Sequence, residues 1–235
     1  MSGGPVRFKG NRALALILTL IMLISIYVVV FPSQGFKQVG DSQTIGGIWD
    51  RLDNITSIGD LDRDGYIDLV MTLPDDSTYG ENAGIVHLFW GGADGFPDLR
   101  PSNADVTFHG YEGFRLGSSV ETWDLQGNGW EEIVIGCPGA NESTGRVLIY
   151  SQVTVNGAGS GMVYSPNWAY LELSGSSTHS FGGWICKGNF TDSGFKDLVV
   201  LSSGNSTVEP QAHFFMGGGV PGVGVNMTLP PLRDR

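Results

Sequence analysis

The sequence predicts an all-β body of three four-stranded units set behind one N-terminal apolar helix. Three observations predict it. There are 36 glycines and few charged residues, and no amphipathic helical stripe follows the N-terminus, a composition that favours short strands joined by turns. An acid-rich loop running into an apolar stretch recurs three times at nearly constant spacing. Residues 13–31 are uncharged and mostly apolar.

The N-terminal elements come first. Residues 1–12 carry Arg7, Lys9 and Arg12 and no acid. The 19 residues of 13–31 would span roughly 28 Å as a helix at about 1.5 Å per residue, close to a bilayer's hydrocarbon thickness. A cleaved signal peptide is the alternative, but the run is longer than a signal's apolar core and "VVVFPSQGF" offers no small-x-small cleavage site. The basic end places the N-terminus in the cytoplasm as a single-pass anchor and the body outside it. Residues 32–44 form a linker. Ten basic residues then face 24 acidic ones, a net of −14, so the body suits cations and excludes nucleic acid and anionic lipid as partners. Five sequons, at Asn54, Asn141, Asn189, Asn205 and Asn226, are glycosylation candidates that agree with export. Cys137 and Cys186 either pair or stay as free thiols, and no zinc-type spacing is present.

The body, 45–235, repeats in three registers: "SIGDLDRDGYIDLVMTLP" (57–74), "ETWDLQGNGWEEIVIGCP" (121–138) and "CKGNFTDSGFKDLVVLSS" (186–203). Their loops begin at Asp60, Asp124 and Asn189, 64 and then 65 residues apart. After each loop come an apolar run and a second strand-like run, "GIVHLFWGG", "GRVLIYSQ" or "AHFFMGG"; in the first two units a third run follows, "ADVTFHG" or "AYLELSG". Units of about 45–110, 111–175 and 176–235 thus each offer four short strands, the makeup of a propeller blade. No unit holds a helical stripe of useful length, which excludes a helical solenoid.

The unit at 114–150, "FRLGSSVETWDLQGNGWEEIVIGCPGANESTGRVLIY", resembles an FG-GAP repeat, the blade of integrin α-subunit β-propellers and many microbial surface proteins. The family's Phe-Gly stands as Phe181-Gly182 and as Leu116-Gly117. Its Gly-Ala-Pro stands as Gly136-Cys137-Pro138 and faintly as Thr72-Leu73-Pro74, while the third unit has Ser202-Ser203. The likeness covers roughly residues 45–225. It implies calcium held between two strands of a blade, and recognition of an extracellular protein or glycan. Integrin-type propellers have seven blades and this chain offers three. The resemblance therefore implies a partial propeller, one completed by self-association, or a piece of a longer one.

Counting from Asp60, oxygen ligands fall at positions 1, 3, 5, 7 and 9: Asp60, Asp62, Asp64, the Tyr66 carbonyl and Asp68. Gly65 at position 6 permits the sharp turn. An EF-hand would need Glu at position 12 and flanking helices, but position 12 is Met71 inside a strand pattern. All-oxygen ligation favours Ca²⁺ over Zn²⁺ or Cu²⁺, in a structural role. The second loop offers Asp124, Gln126, Asn128, the Trp130 carbonyl and Glu132, a weaker set with two carboxylates. The third offers Asn189, Thr191, Ser193, the Phe195 carbonyl and Asp197, and reads as a cation-free turn.

No catalytic cluster is legible. His87 and His213 hold matching places and read as structural residues facing outward or between blades. "GGGVPG" (217–222) fits a dinucleotide fingerprint on paper, but it opens no helix. "RDG" (63–65) is not Arg-Gly-Asp. Trp90, Trp123, Trp130, Trp168 and Trp184 read as blade packing. The expected function is a membrane-anchored, calcium-stabilised surface propeller for adhesion, ligand binding or assembly, without catalysis. The alternative is a propeller-based polysaccharide hydrolase or lyase.

Overall fold

The computed structural model describes residues 54–218, apart from 97, 157–159, 176–179 and 205–208. The basic tail, the apolar run 13–31 and the linker lie outside the described residues. No helix among those described is long and apolar enough to cross a membrane.

Twelve strands form three sheets, and each sheet is an antiparallel meander built on one register of the repeat. The first contains β1 (Asn54–Gly59), β2 (Asp68–Leu73), β3 (Ile85–Phe89) and β4 (Val106–His109). The second contains β5 (Ser119–Trp123), β6 (Glu132–Cys137), β7 (Arg146–Tyr150) and β9 (Leu171–Ser174). The third contains β10 (Trp184–Gly188), β11 (Asp197–Ser202) and β12 (Gln211–Phe215). β8 (Met162–Tyr164) departs from the expected plan. It leaves the connection between β7 and β9 and pairs in parallel with β4, so a strap from the second unit covers an edge of the first sheet. Its Tyr164 stacks beside Phe108, with ring centroids 5.8 Å apart. Three residues without alternation carry no strand signal, which is why the sequence hides this strap.

Alternation along the strands sorts side chains between the sheets. Val70, Val86, Leu88 and Phe108 of the first sheet share a core with Ile133, Ile135, Cys137, Leu148 and Tyr150 of the second. On the second sheet's other face, Val134, Val147 and Ile149 pack with Leu198, Val200 and Phe215 of the third. All six residues of β6 are consequently buried. The outer face of the first sheet, Met71, Leu73 and Phe89, is roofed by Phe96 and Leu99. Between the second and third sheets, the Lys187 ammonium bridges Glu131 at 2.8 Å and donates to Thr122 Oγ1 at 2.6 Å.

Two expectations about aromatic packing need correction. Trp123 is buried and its indole N–H donates to the Lys196 carbonyl at 2.7 Å, but Trp168 and Trp184 are 61% and 74% exposed. Trp168 meets the edge of Tyr164, with ring centroids 5.9 Å apart, and Trp184 stands on the outer face of β10. His87 bonds Thr107 Oγ1 at 2.9 Å on the outer face of β3, and His213 stands edge-on to Phe181 between two sheets.

Candidate metal centre

Each acid-rich loop joins the first two strands of its sheet, and the three loops share one hydrogen-bond frame. The carboxylate at position 9 is buried and accepts the N–H of position 2. Leu61 donates to Asp68 at 2.7 Å, Leu125 to Glu132 at 3.0 Å and Phe190 to Asp197 at 2.9 Å. Position 5 caps position 7: Tyr66 N–H bonds Asp64, Trp130 N–H bonds Asn128, and Phe195 N–H bonds Ser193 Oγ. Position 1 accepts the glycine N–H of position 6 in the first two loops, Gly65 to Asp60 and Gly129 to Asp124. Gly65 has φ +94°, a conformation natural to glycine. These turns hold the side chains in place before any ion arrives.

What differs is how each loop neutralises its charge. In the first loop, Asp60, Asp62 and Asp68 each aim an oxygen so that the three lie within 4.8 Å of one another. Asp64 is not in that group; it is exposed and its Oδ1 turns back to the Tyr66 N–H. Burial pushes the Asp68 carboxyl up to about 6, aided by the negative charges of Asp62 and Asp60 and opposed by the Gly91 and Leu61 N–H groups. Burial likewise raises Asp62, opposed by the Asp64 N–H and helped by its neighbours' charges. Among the described residues, no basic side chain is one of the causes that shift either carboxyl.

The second loop is milder. Burial raises Glu132, but its Oε1 accepts the Gln126 amide at 3.3 Å and only Asp124 adds further charge. In the third loop, burial of Asp197 is outweighed by donors, and the carboxyl lies below its usual range. Those donors are the Gly217, Thr191 and Phe190 N–H groups and the Thr191 hydroxyl. One carboxylate with four donors is satisfied by the chain itself, whereas the three crowded carboxylates of the first loop repel one another and could hold a metal ion. All the converging atoms are oxygens, the ligand set of a hard divalent ion.

The loops also touch each other at one end of the sheets. The Arg63 guanidinium, at position 4 of the first loop, lies 4.0 Å from the centroid of the Trp130 ring, at position 7 of the second. Gly127, at position 4 of the second, lies against the Phe195 ring at position 7 of the third. Neither this ladder nor the position 9 hub was evident from a ligand-spacing argument. The repeated glycine pair after "LFW" and "FFM" is its only sequence signal, since Gly91 and Gly217 donate to Asp68 and Asp197.

Of the sequons, Asn141 and Asn189 are exposed and Asn54 opens β1, while Asn205 and Asn226 lie outside the described residues. Cys137 is buried, Cys186 exposed, and both are free thiols. No protein-family model matches the chain, and no curated protein matches it.

Proposed function

We propose that the chain is a calcium-stabilised, FG-GAP-like propeller module, carried outside the cell on its N-terminal apolar segment and used for ligand binding, adhesion or surface assembly. The observation that carries this reading is the convergence of Asp60, Asp62 and Asp68 in a loop pre-shaped by its own backbone hydrogen bonds. Ca²⁺ bound there would neutralise the crowded carboxylates and add its binding free energy to the folded state. The face-to-face sheets, each with its loop at the same place, support the blade architecture. The acidic body supports attraction of cations.

Thermal unfolding of the full chain, in excess chelator and across a Ca²⁺ titration, tests the proposal. At one hundred times the dissociation constant the gain is about 2.7 kcal/mol, a rise of several degrees in Tm. Asp62→Asn keeps a side-chain oxygen for the Asp64 N–H and removes one charge, so it lowers the titration's affinity while leaving the chelated protein's Tm nearly unchanged. An unaltered Tm over millimolar Ca²⁺ would sink the metal reading.

A further inference from the structure

The stack of sheets ends differently on its two sides. The sheet faces follow a strict order: residues two places beyond loop position 9 point toward the following sheet, as Val70 and Val134 do. In the third sheet the same register gives Val199, and Leu201 two places on shares its face. Trp184 lies directly opposite Leu201, and Cys186 opposite Val199. Ala212 and Phe214 complete those two rows on β12. Phe190 folds back over Gly188 and meets Phe214 edge-on at 6.0 Å. Trp184 is 74% exposed, Phe190 51% and Leu201 41%. The opposite end of the stack, Met71, Leu73 and Phe89, is already sealed by Phe96 and Leu99.

We propose that this face of the third sheet is an interface with a second copy of the chain, the two third sheets packing face to face about a two-fold axis. The face continues the row that joins one sheet to the next inside the chain, so its geometry already suits another sheet. A head-to-tail contact would need an open apolar face at the first sheet, and that face is roofed. Among the described residues each copy therefore presents one face of this kind, and two such faces satisfy each other in a closed pair rather than a fibre. Charge agrees: the strand positions on this face are Trp184, Cys186, Gly188, Val199, Leu201, Ala212, Phe214 and Asp197, and the Asp197 carboxylate is buried among its loop donors, so no exposed ionised group stands among them. Two acidic bodies thus meet at uncharged surface, and exposed Trp and Phe supply the central anchors such interfaces use.

Cys186 stands in the face and reports its coverage, while Cys137 is buried elsewhere. The full chain, held in a constant excess of mild detergent, is reacted with a chromogenic disulfide at increasing protein concentration. The expected result is Cys186 labelling that slows about tenfold across a micromolar-scale dissociation constant. Trp184→Glu, a change at an exposed site, restores concentration-independent fast labelling, and Cys186→Ser abolishes the signal. Fast labelling at every concentration would show an uncovered face and overturn the proposal. Slow labelling at every concentration would show that the chain's own residues or the micelle cover it, and would overturn it equally. Neither outcome depends on Ca²⁺.

Discussion

His87 is a base kept neutral by its surroundings. Burial on the outer face of β3 lowers its pKa from 6.5 to about 4, against the opposing charge of Asp76. Between those values the unfolded chain takes up a proton that the native state refuses, so stability falls as pH falls. The loss accumulates from about pH 6.5 and levels off near pH 4, reaching about 3 kcal/mol. Asp68 acts oppositely. Its raised pKa lets the native carboxyl hold a proton between about 6 and 3.8, which stabilises the fold on acidification. Comparing the chain with His87→Gln in chelator cancels the Asp68 contribution. The variant's denaturation midpoint is expected to fall less steeply between pH 6.5 and 4; equal slopes would show that His87 is protonated in the folded protein.

The docking of one unit on the next rests on a glycine seat. Gly145 has φ +84°, and a Cβ there would strike the backbone of Phe181. Phe181 N–H donates to the Thr144 carbonyl at 3.1 Å, and the ring is buried between the second and third sheets. The same seat recurs one unit earlier, where Gly84 receives Leu116 and the Leu116 N–H bonds Ala83. Gly145→Ala is therefore expected to cost about 2–4 kcal/mol, combining the left-handed backbone penalty with a clash that parts two sheets. Gly161 shares the φ, at +81°, but has open space around it. Gly161→Ala then costs about 1–2 kcal/mol, and denaturant midpoints of the pair separate the two contributions. Equal losses would mean that the seat has room.

The arrangement of the chain was legible where the repeat speaks and silent where contacts cross it. The order of the antiparallel strands and the loop positions between them follow from a period that copies itself three times. The β8 strap, the roof of Phe96 and Leu99, and the ladder from Arg63 to Trp130 join different units, so no local pattern encodes them. The oxygen-bearing residues of the loops were legible as types. Their differing charge followed from carboxylate counts, but the backbone donors that satisfy Asp197 depend on tertiary position. The same asymmetry governs how the molecule opens. The first and second sheets share the largest core, in which Tyr150, Phe108 and Leu148 are fully buried. The third sheet packs by one face only and keeps three strands among the described residues. Native-state hydrogen exchange at low protein concentration is thus expected to show β10–β12 opening at a free energy about 2 kcal/mol or more below β6 and β7. Cys137 lies between the first two sheets, where burial raises its thiol pKa, so its labelling should track the slow amides of β6 rather than those of β11. If β11 exchanges together with β6 and Cys137, the three sheets unfold as one cooperative body, and the uncovered face carries no local weakness.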